Sequence, residues 1–276
     1  MPVTKMAPLG DETLLSLVAK DEVEAVRALL TTGQDACGLS AEGSRPAHEI
    51  RSVAMLELLV EHGAKLDGAE AFDRIKRLPL PMAIAHGAST ELVRAFVHAG
   101  AHVEPKQCQA SPLTVAATVG RIDILELLAS LGARVLRAGD TTLHRAAGRN
   151  QVEVVTWLLQ NGAPPNAPDR TYQSESRPLH EAASRGAADA IVVLLEHGAD
   201  PRARETGGGD TDGFAPLHSA AMMEHEAAFR LLWHAAPDVA DSPVGSEQSE
   251  YLEDMVDGTP LSAVLRELKA QTRAQG

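Results

Sequence analysis

One seven-residue segment recurs along this chain with small variations, and it constrains the fold more than any other feature. Arg177-Pro178-Leu179-His180-Glu181-Ala182-Ala183 and Ala215-Pro216-Leu217-His218-Ser219-Ala220-Ala221 are the clearest copies. Thr141-Thr142-Leu143-His144-Arg145-Ala146-Ala147 lacks the Pro, and Ser111-Pro112-Leu113-Thr114-Val115-Ala116-Ala117 lacks the His. Each copy runs into a leucine-rich stretch and then a turn. The step from the Pro position to the turn glycine is 20 residues in all four, with Ala236 standing where the last should have Gly. Shorter versions run from Pro46 to Gly63 and from Pro81 to Gly100. Thr13-Leu14-Leu15-Ser16 to Gly33 reads as a degenerate first copy, and Thr259-Pro260-Leu261-Ser262-Ala263 opens a shorter last one. Successive Pro positions lie 30 to 44 residues apart. Such a period means stacked units, none of which buries its apolar face alone.

Local chemistry explains each part of the segment. Pro at the first position of a short helix fixes φ where no hydrogen bond is lost, and the Ala-Ala pair lets neighbouring helices approach closely. A second helix follows, as in Val152 to Gln160, with Val154, Val155, Trp157, Leu158 and Leu159 at the inward-facing spacing. Gly162 then ends it in the left-handed conformation that Gly tolerates.

These segments, with Gly-Ala at a fixed distance behind them, resemble the ankyrin repeat family over roughly Leu9 to Lys269. The resemblance implies an all-α solenoid of about eight stacked helix-turn-helix repeats. Loop or short β-hairpin fingers would join them, and the terminal units would act as caps. The expected units are 9–41, 42–76, 77–107, 108–137, 138–173, 174–211, 212–257 and a C-terminal cap over 258–276, all in one solenoid spanning 1–276. The family also implies that His48, His144, His180 and His218, in the fourth motif position, make hydrogen bonds tying adjacent units together. His62, His98, His197 and His234 fall near the ends of second helices, where a partial positive charge suits the dipole.

Composition narrows the function. Aromatics are only 3% of the chain, which argues against barrels, sandwiches and base-stacking platforms. The formal charge is −13, and Glu205 to Asp257 carries 12 acids against a single base, Arg230. Such a segment repels a nucleic-acid backbone, so no nucleic-acid partner is expected. No apolar run reaches the length of a membrane span, so no membrane insertion is expected. The N-terminus lacks an apolar leader core. The two cysteines, Cys37 and Cys108, share no metal spacing and read as reduced thiols, so a cytoplasmic location and a monomer are expected. No His-x-x-x-His with an acid partner, phosphate loop, nucleophile elbow or Cys-His dyad occurs, so neither metal nor cofactor is expected.

The departures from the period are the informative part. The second unit is short between its helices. Pro168 to Ser176 and Arg204 to Gly213 carry extra residues, and an acidic insert runs over 238–257. That insert reads either as a solvated loop or, through Tyr251, Leu252, Met255 and Val256, as one amphipathic turn packed on the last full unit. In the family, first helices and fingers line a groove. The positions after the motif's fourth residue and after Ala-Ala then give the expected partner-binding set: Val115, Thr118, Val119, Arg145, Arg149, Glu181, Arg185, Met222 and Met223, with Tyr172 from a finger. Arg and Met are enriched where proteins meet. The resemblance therefore implies a non-enzymatic scaffold or adaptor for a partner protein. The alternative is an atypical enzyme or small-molecule binder using a central pocket formed by Arg145, Arg149, Tyr172 and Glu181.

Overall fold

The computed structural model describes residues 13–38, 45–66, 78–104, 111–135, 141–169, 175–205, 213–241 and 252–275. Among them, helices follow one another in pairs. The pairs are α1 (Leu14–Ala19) with α2 (Val23–Thr31), a 3-10 turn (Pro46–Glu49) with α3 (Val53–Glu61), and α4 (Pro79–Ala85) with α5 (Thr90–His98). Then come α6 (Pro112–Thr118) with α7 (Ile122–Ser130), α8 (Thr142–Gly148) with α9 (Val152–Gln160), and α10 (Pro178–Ser184) with α11 (Ala188–Glu196). Helix α12 (Pro216–Met222) with α13 (Glu226–Ala235) leads through a second 3-10 turn (Pro237–Asp241) to α14 (Leu252–Val256) and α15 (Leu261–Gln275). The class is an all-α repeat solenoid. The chain divides into two compact units, one of residues 1–116 and 123–133, the other of 117–122 and 134–276.

In the first unit two of the second helices, α3 and α5, begin on serine caps. Ser52 Oγ accepts from Met55 N at 3.1 Å, and Ser89 Oγ accepts from Leu92 N at 3.2 Å. The second pair is shorter than its neighbours, but not in the turn where the sequence suggested: the residues are lost from its first helix, which shrinks to a single 3-10 turn, while residues 50–52 make a turn as long as that between α8 and α9. Asp21, left-handed at φ 60°, accepts at 2.7 Å from the Ser52 hydroxyl, so one pair holds the N-terminus of the next pair's second helix. The core here is Leu, Val, Ile and Met, with Phe96 the one fully buried aromatic ring among the unit's described residues.

The second unit repeats these devices with different residues. Asn150, left-handed at φ 55°, donates to Asp189 Oδ2 at 3.1 Å and accepts from Ala190 N at 2.9 Å, capping α11. Asn166 accepts from Asp200 N and donates to Gly198 O, at 2.8 and 2.9 Å, joining the turns of successive pairs. Gly162 ends α9 at φ 87°, and Ala163 N returns to Leu158 O at 2.9 Å. Ala236, standing where Gly was expected, takes φ −154° instead, and the chain leaves α13 by a different route into the Pro237–Asp241 turn. Trp157 is half-buried, whereas Val154, Val155, Leu158 and Leu159 are buried as expected.

The ends of the acidic insert belong to the core. Val239, Ala240, Leu252 and Val256 are all buried, so of the two readings the amphipathic turn holds where the chain is described. Tyr251 and residues 242–250 lie outside the described residues. Among those described, the only finger pairing is the antiparallel bridge between Asp169 and Ser176, supplemented by Glu205 N donating to Phe214 O at 3.0 Å.

Candidate functional site

The motif histidines set the frame on which the site is built. In three copies the residue before Pro is extended, with ψ 152° at Arg45, 162° at Arg177 and 164° at Ala215. Pro forces this, because its Cδ excludes the helical region for the residue before it. The extended residue then presents its own N–H to the histidine Nδ1, at 3.2 Å in His48, 3.3 Å in His180 and 3.2 Å in His218. The other ring nitrogen reaches the next pair. His180 Nε2 donates to Phe214 O at 3.0 Å, and His144 Nε2 donates to Ser176 O at 3.2 Å. Burial lowers all three of His144, His180 and His218 from the ordinary imidazole range, His180 and His218 to about 4. They are neutral structural groups, held with the proton on Nε2 wherever a carbonyl faces it.

The fifth pair departs from this. Thr142 replaces Pro, Thr141 is freed from the extended region and sits at ψ 13°, and its N–H does not reach the histidine. His144 Nδ1 is consequently a buried nitrogen without a hydrogen-bond partner among the described residues, on a side chain only 4% exposed.

That histidine lines a partly open cavity of about 410 Å³ with Thr141, Arg145, Asp169, Ser176, Glu181, Arg185 and Glu205. Two successive pairs and the segments that follow them supply the walls: α8, α10, and the finger segments around Asp169, Ser176 and Glu205. Arg185 Nε donates to Glu181 Oε1 at 2.7 Å within α10, so this ion pair stays inside one helix rather than bridging pairs. Gly148 makes room for it. A Cβ there would lie 2.8 Å from Glu181 Cγ and 2.9 Å from Arg185 Cδ. Arg145 Nε donates to Thr141 Oγ1 at 3.4 Å in its own helix. Burial holds the Glu205 carboxyl above its usual range; a side-chain hydrogen bond with Ser176 works against this, and the nearby Glu181 charge adds to it.

The remaining expected residues are distributed unevenly. Arg145, Glu181 and Arg185 come together in the cavity, while Arg149 is exposed and outside its lining. Met222 ends α12 and Met223 follows it, 57% and 56% exposed. Val119 is exposed at the position equivalent to Arg149, Arg185 and Met223 in the first-helix motif, Thr118 is half-buried, and Val115 is half-buried in the other compact unit. Tyr172, Cys108 and Gly207-Gly208-Gly209 lie outside the described residues. Sequence reasoning missed Asp169, Ser176, Glu205, Thr141 and the open nitrogen of His144. The available signals were the extra residues over 168–176, whose ends meet in the bridge, and the missing Pro at 142.

Among the described residues no group of His, Cys, Asp and Glu is arranged to hold a metal ion, and no helix is long and apolar enough to cross a membrane. A family model for ankyrin repeats, in three copies, matches residues 80–169 and 143–241. The crystal structure of the human ASB11 ankyrin repeat domain is similar in fold, with a TM-score of 0.63 at 22% sequence identity over 80% of this chain and 97% of that one. No curated protein matches the sequence.

Proposed function

The chain belongs to the ankyrin repeat family, and we propose that it is a non-enzymatic adaptor that binds a partner protein through the ends of its first helices. Ankyrin repeats generally mediate protein–protein interaction, and a single observation supports this face in particular. Of the four large apolar side chains exposed among the described residues, Val119, Val192, Met222 and Met223, three stand at the last position of a first helix or the one after it. Arg149 and Arg185 occupy the same register in the intervening pairs. Unbranched Met and forked Arg are the side chains that adapt to and anchor a protein surface. Repeats over 9–41 through 258–276 are the units that carry it, and the chain acts as a monomer in the cytoplasm.

Affinity capture from native extract with mass spectrometry identifies the partner. The comparison is between the wild type, Met222→Ser/Met223→Ser and Arg145→Glu/Arg149→Glu/Arg185→Glu. Loss of the same captured protein in both variants, with circular dichroism unchanged, is the expected result. Apolar loss acts chiefly on dissociation and charge reversal chiefly on association. A partner held equally by all three proteins places the interface elsewhere. The acidic insert is best tested by neutralising its charges, because deletion of 238–257 removes the buried Val239, Ala240, Leu252 and Val256.

A further inference from the structure

Arginines at the ends of the first helices use their guanidinium heads differently from two others in the second unit. Arg202 is closed on Asp238 through Nε and a terminal nitrogen, at 2.9 and 2.7 Å. Arg230 spends Nε on Glu226 and both terminal nitrogens on Glu267. On α8 and α10 only the inner nitrogen is spent. Arg145 Nε donates to Thr141 Oγ1 and Arg185 Nε to Glu181 Oε1, while the exposed Arg149 has no polar side-chain partner among the described residues. The terminal nitrogens of all three stay open, and the bonds at Nε hold two of the heads to their own helices. The three side chains are also grouped. Arg145 stands one turn before Arg149, the C-cap of α8, and the Arg185 stem crosses that helix end at Gly148, where a Cβ would lie 2.9 Å from Arg185 Cδ and 3.1 Å from Nε. Residues 134–204 hold nine arginines and no lysine, and the guanidinium is the cation that takes a carboxylate on two parallel N–H donors. Past α10 the face becomes apolar at the exposed Met222 and Met223, with the exposed Glu224 next to them.

We infer that this face binds an extended acidic segment of a partner protein, with Asp or Glu carboxylates on the open forks of Arg145, Arg149 and Arg185 and an apolar side chain on Met222 and Met223. The inference rests on the adaptor reading above and specifies the partner's chemistry. Three guanidiniums with the bonded Glu181 leave a local excess of positive charge in a chain whose net charge is −13. Carboxylates suit it better than phosphate, whose second negative charge would meet Glu181 and, across the cavity, Asp169 and Glu205. Glu224 repels an acid at the methionines, so it orders the segment: acidic residue towards α8 and α10, apolar residue towards α12. The methionines stand one repeat further along than Arg185. One repeat step is roughly 10 Å, the spacing of packed helices, and an extended chain covers that in about three residues. The recognised pattern is therefore an acidic residue with an apolar residue about three positions away. Gly148 is a positioning residue here, because any Cβ in its place displaces the Arg185 stem.

A displayed random-peptide library selected on the full chain tests this, with affinities of the resynthesised peptides read by fluorescence polarisation. Selected peptides should share the acidic and apolar residues. Arg145→Gln/Arg149→Gln should weaken them by about tenfold or more, and Met222→Ser/Met223→Ser should weaken them too, with circular dichroism unchanged. Replacing the peptide's acid by its amide should abolish the effect of Arg145→Gln/Arg149→Gln, which only direct coupling produces. Gly148→Ala should weaken binding severalfold while the thermal midpoint holds or rises, since Ala favours a helix; unchanged affinity overturns the part assigned to Arg185. Selected peptides that are basic or carry no acid, or that bind Arg145→Gln/Arg149→Gln as tightly as the wild type, overturn the inference. If such peptides still lose affinity with Met222→Ser/Met223→Ser, the adaptor surface stands; indifference to the methionines as well counts against that surface itself. Tighter binding with phosphoserine in place of the acid overturns the carboxylate assignment, and a selection that yields no binder overturns the inference as a whole.

Discussion

Mild acid should loosen the second unit through its buried histidines. His180 and His218 are 1% and 0% exposed, and each is held neutral by burial. Positive charge nearby reinforces this: Arg177 and His144 face His180, and Arg204 faces His218. The acceptor carbonyl of Phe214 pulls the other way at His180 without overcoming burial. The folded pKa of each is about 4, against an ordinary value of 6.5. Because the folded value is depressed, the unfolded chain binds protons first. The stabilising contribution is complete above pH 6.5, falls as the pH drops below it, and is gone below about pH 4. Between pH 7 and pH 5 each histidine withdraws about 2 kcal/mol, a large share of a domain stability of about 5–15 kcal/mol. Glu205, whose carboxyl is held above its usual range, works in the opposite sense and offsets part of the loss. The surface carboxylates Asp238, Glu253 and Glu267 are held below theirs by Arg202, Lys269 and Arg230, so they contribute only in stronger acid. Urea unfolding at pH 7 and pH 5, followed by circular dichroism, should show the drop in the wild type. His180→Gln/His218→Gln should be weaker at pH 7 yet lose about 4 kcal/mol less on going to pH 5. Equal losses in both proteins, or an imidazole resonance of His180 titrating near its ordinary value, would refute the reasoning.

Asn150→Ala should cost about 1–3 kcal/mol in urea unfolding, because it removes both bonds to the next pair and forces Ala into the left-handed region; Asn150→Gly, which keeps that backbone freely, should cost less, and equal losses would show that conformation contributes nothing there. Thr142→Pro should drive Thr141 extended, deliver its N–H to His144 Nδ1 and raise the urea midpoint by about 1 kcal/mol of stability, whereas a lowered midpoint would show that the open nitrogen is not a consequence of the missing Pro.

The frame was legible because its determinants are local and repeated. Pro178, the Ala182-Ala183 pair and Gly198 each act within a few residues of themselves, and 20-residue spacing ties them into one unit. The boundaries of α9 are those read from the sequence, Val152 to Gln160. Tertiary consequences were less legible. The acidic insert looked mostly solvated by composition, yet Leu252 and Val256 sit at the inward spacing of a helical turn and are buried. Trp157 was placed inward by periodicity alone, and its half-buried state reflects the width of a large ring at the margin of the apolar stripe. Pairing of Arg and Glu across units was a fair expectation from charge alone, but the separation of four residues brings Arg185 back onto Glu181 first.

The cavity could not be read from the period, because it is made from three departures that are far apart in sequence. Missing Pro at 142 releases Thr141 and opens a nitrogen of His144. Gly148, where the next copies carry Ser184 and Met222, leaves space for the Glu181–Arg185 pair to lean across the end of α8. The extra residues of the finger over 168–176 bring Asp169 and Ser176 together by their bridge, and Ser176 then holds both the His144 ring and the Glu205 carboxyl. Each change is mildly unfavourable or neutral by itself. An open acceptor costs stability, Gly weakens a helix end, and a longer loop costs closure entropy. Only in a stacked array do they meet at one point, because the stack sets residues 30 to 40 apart side by side. The polar cavity therefore forms where adjacent units break the pattern together. The seventh unit keeps the pattern at Pro216 and His218, and its exposed large apolar side chains are Met222 and Met223.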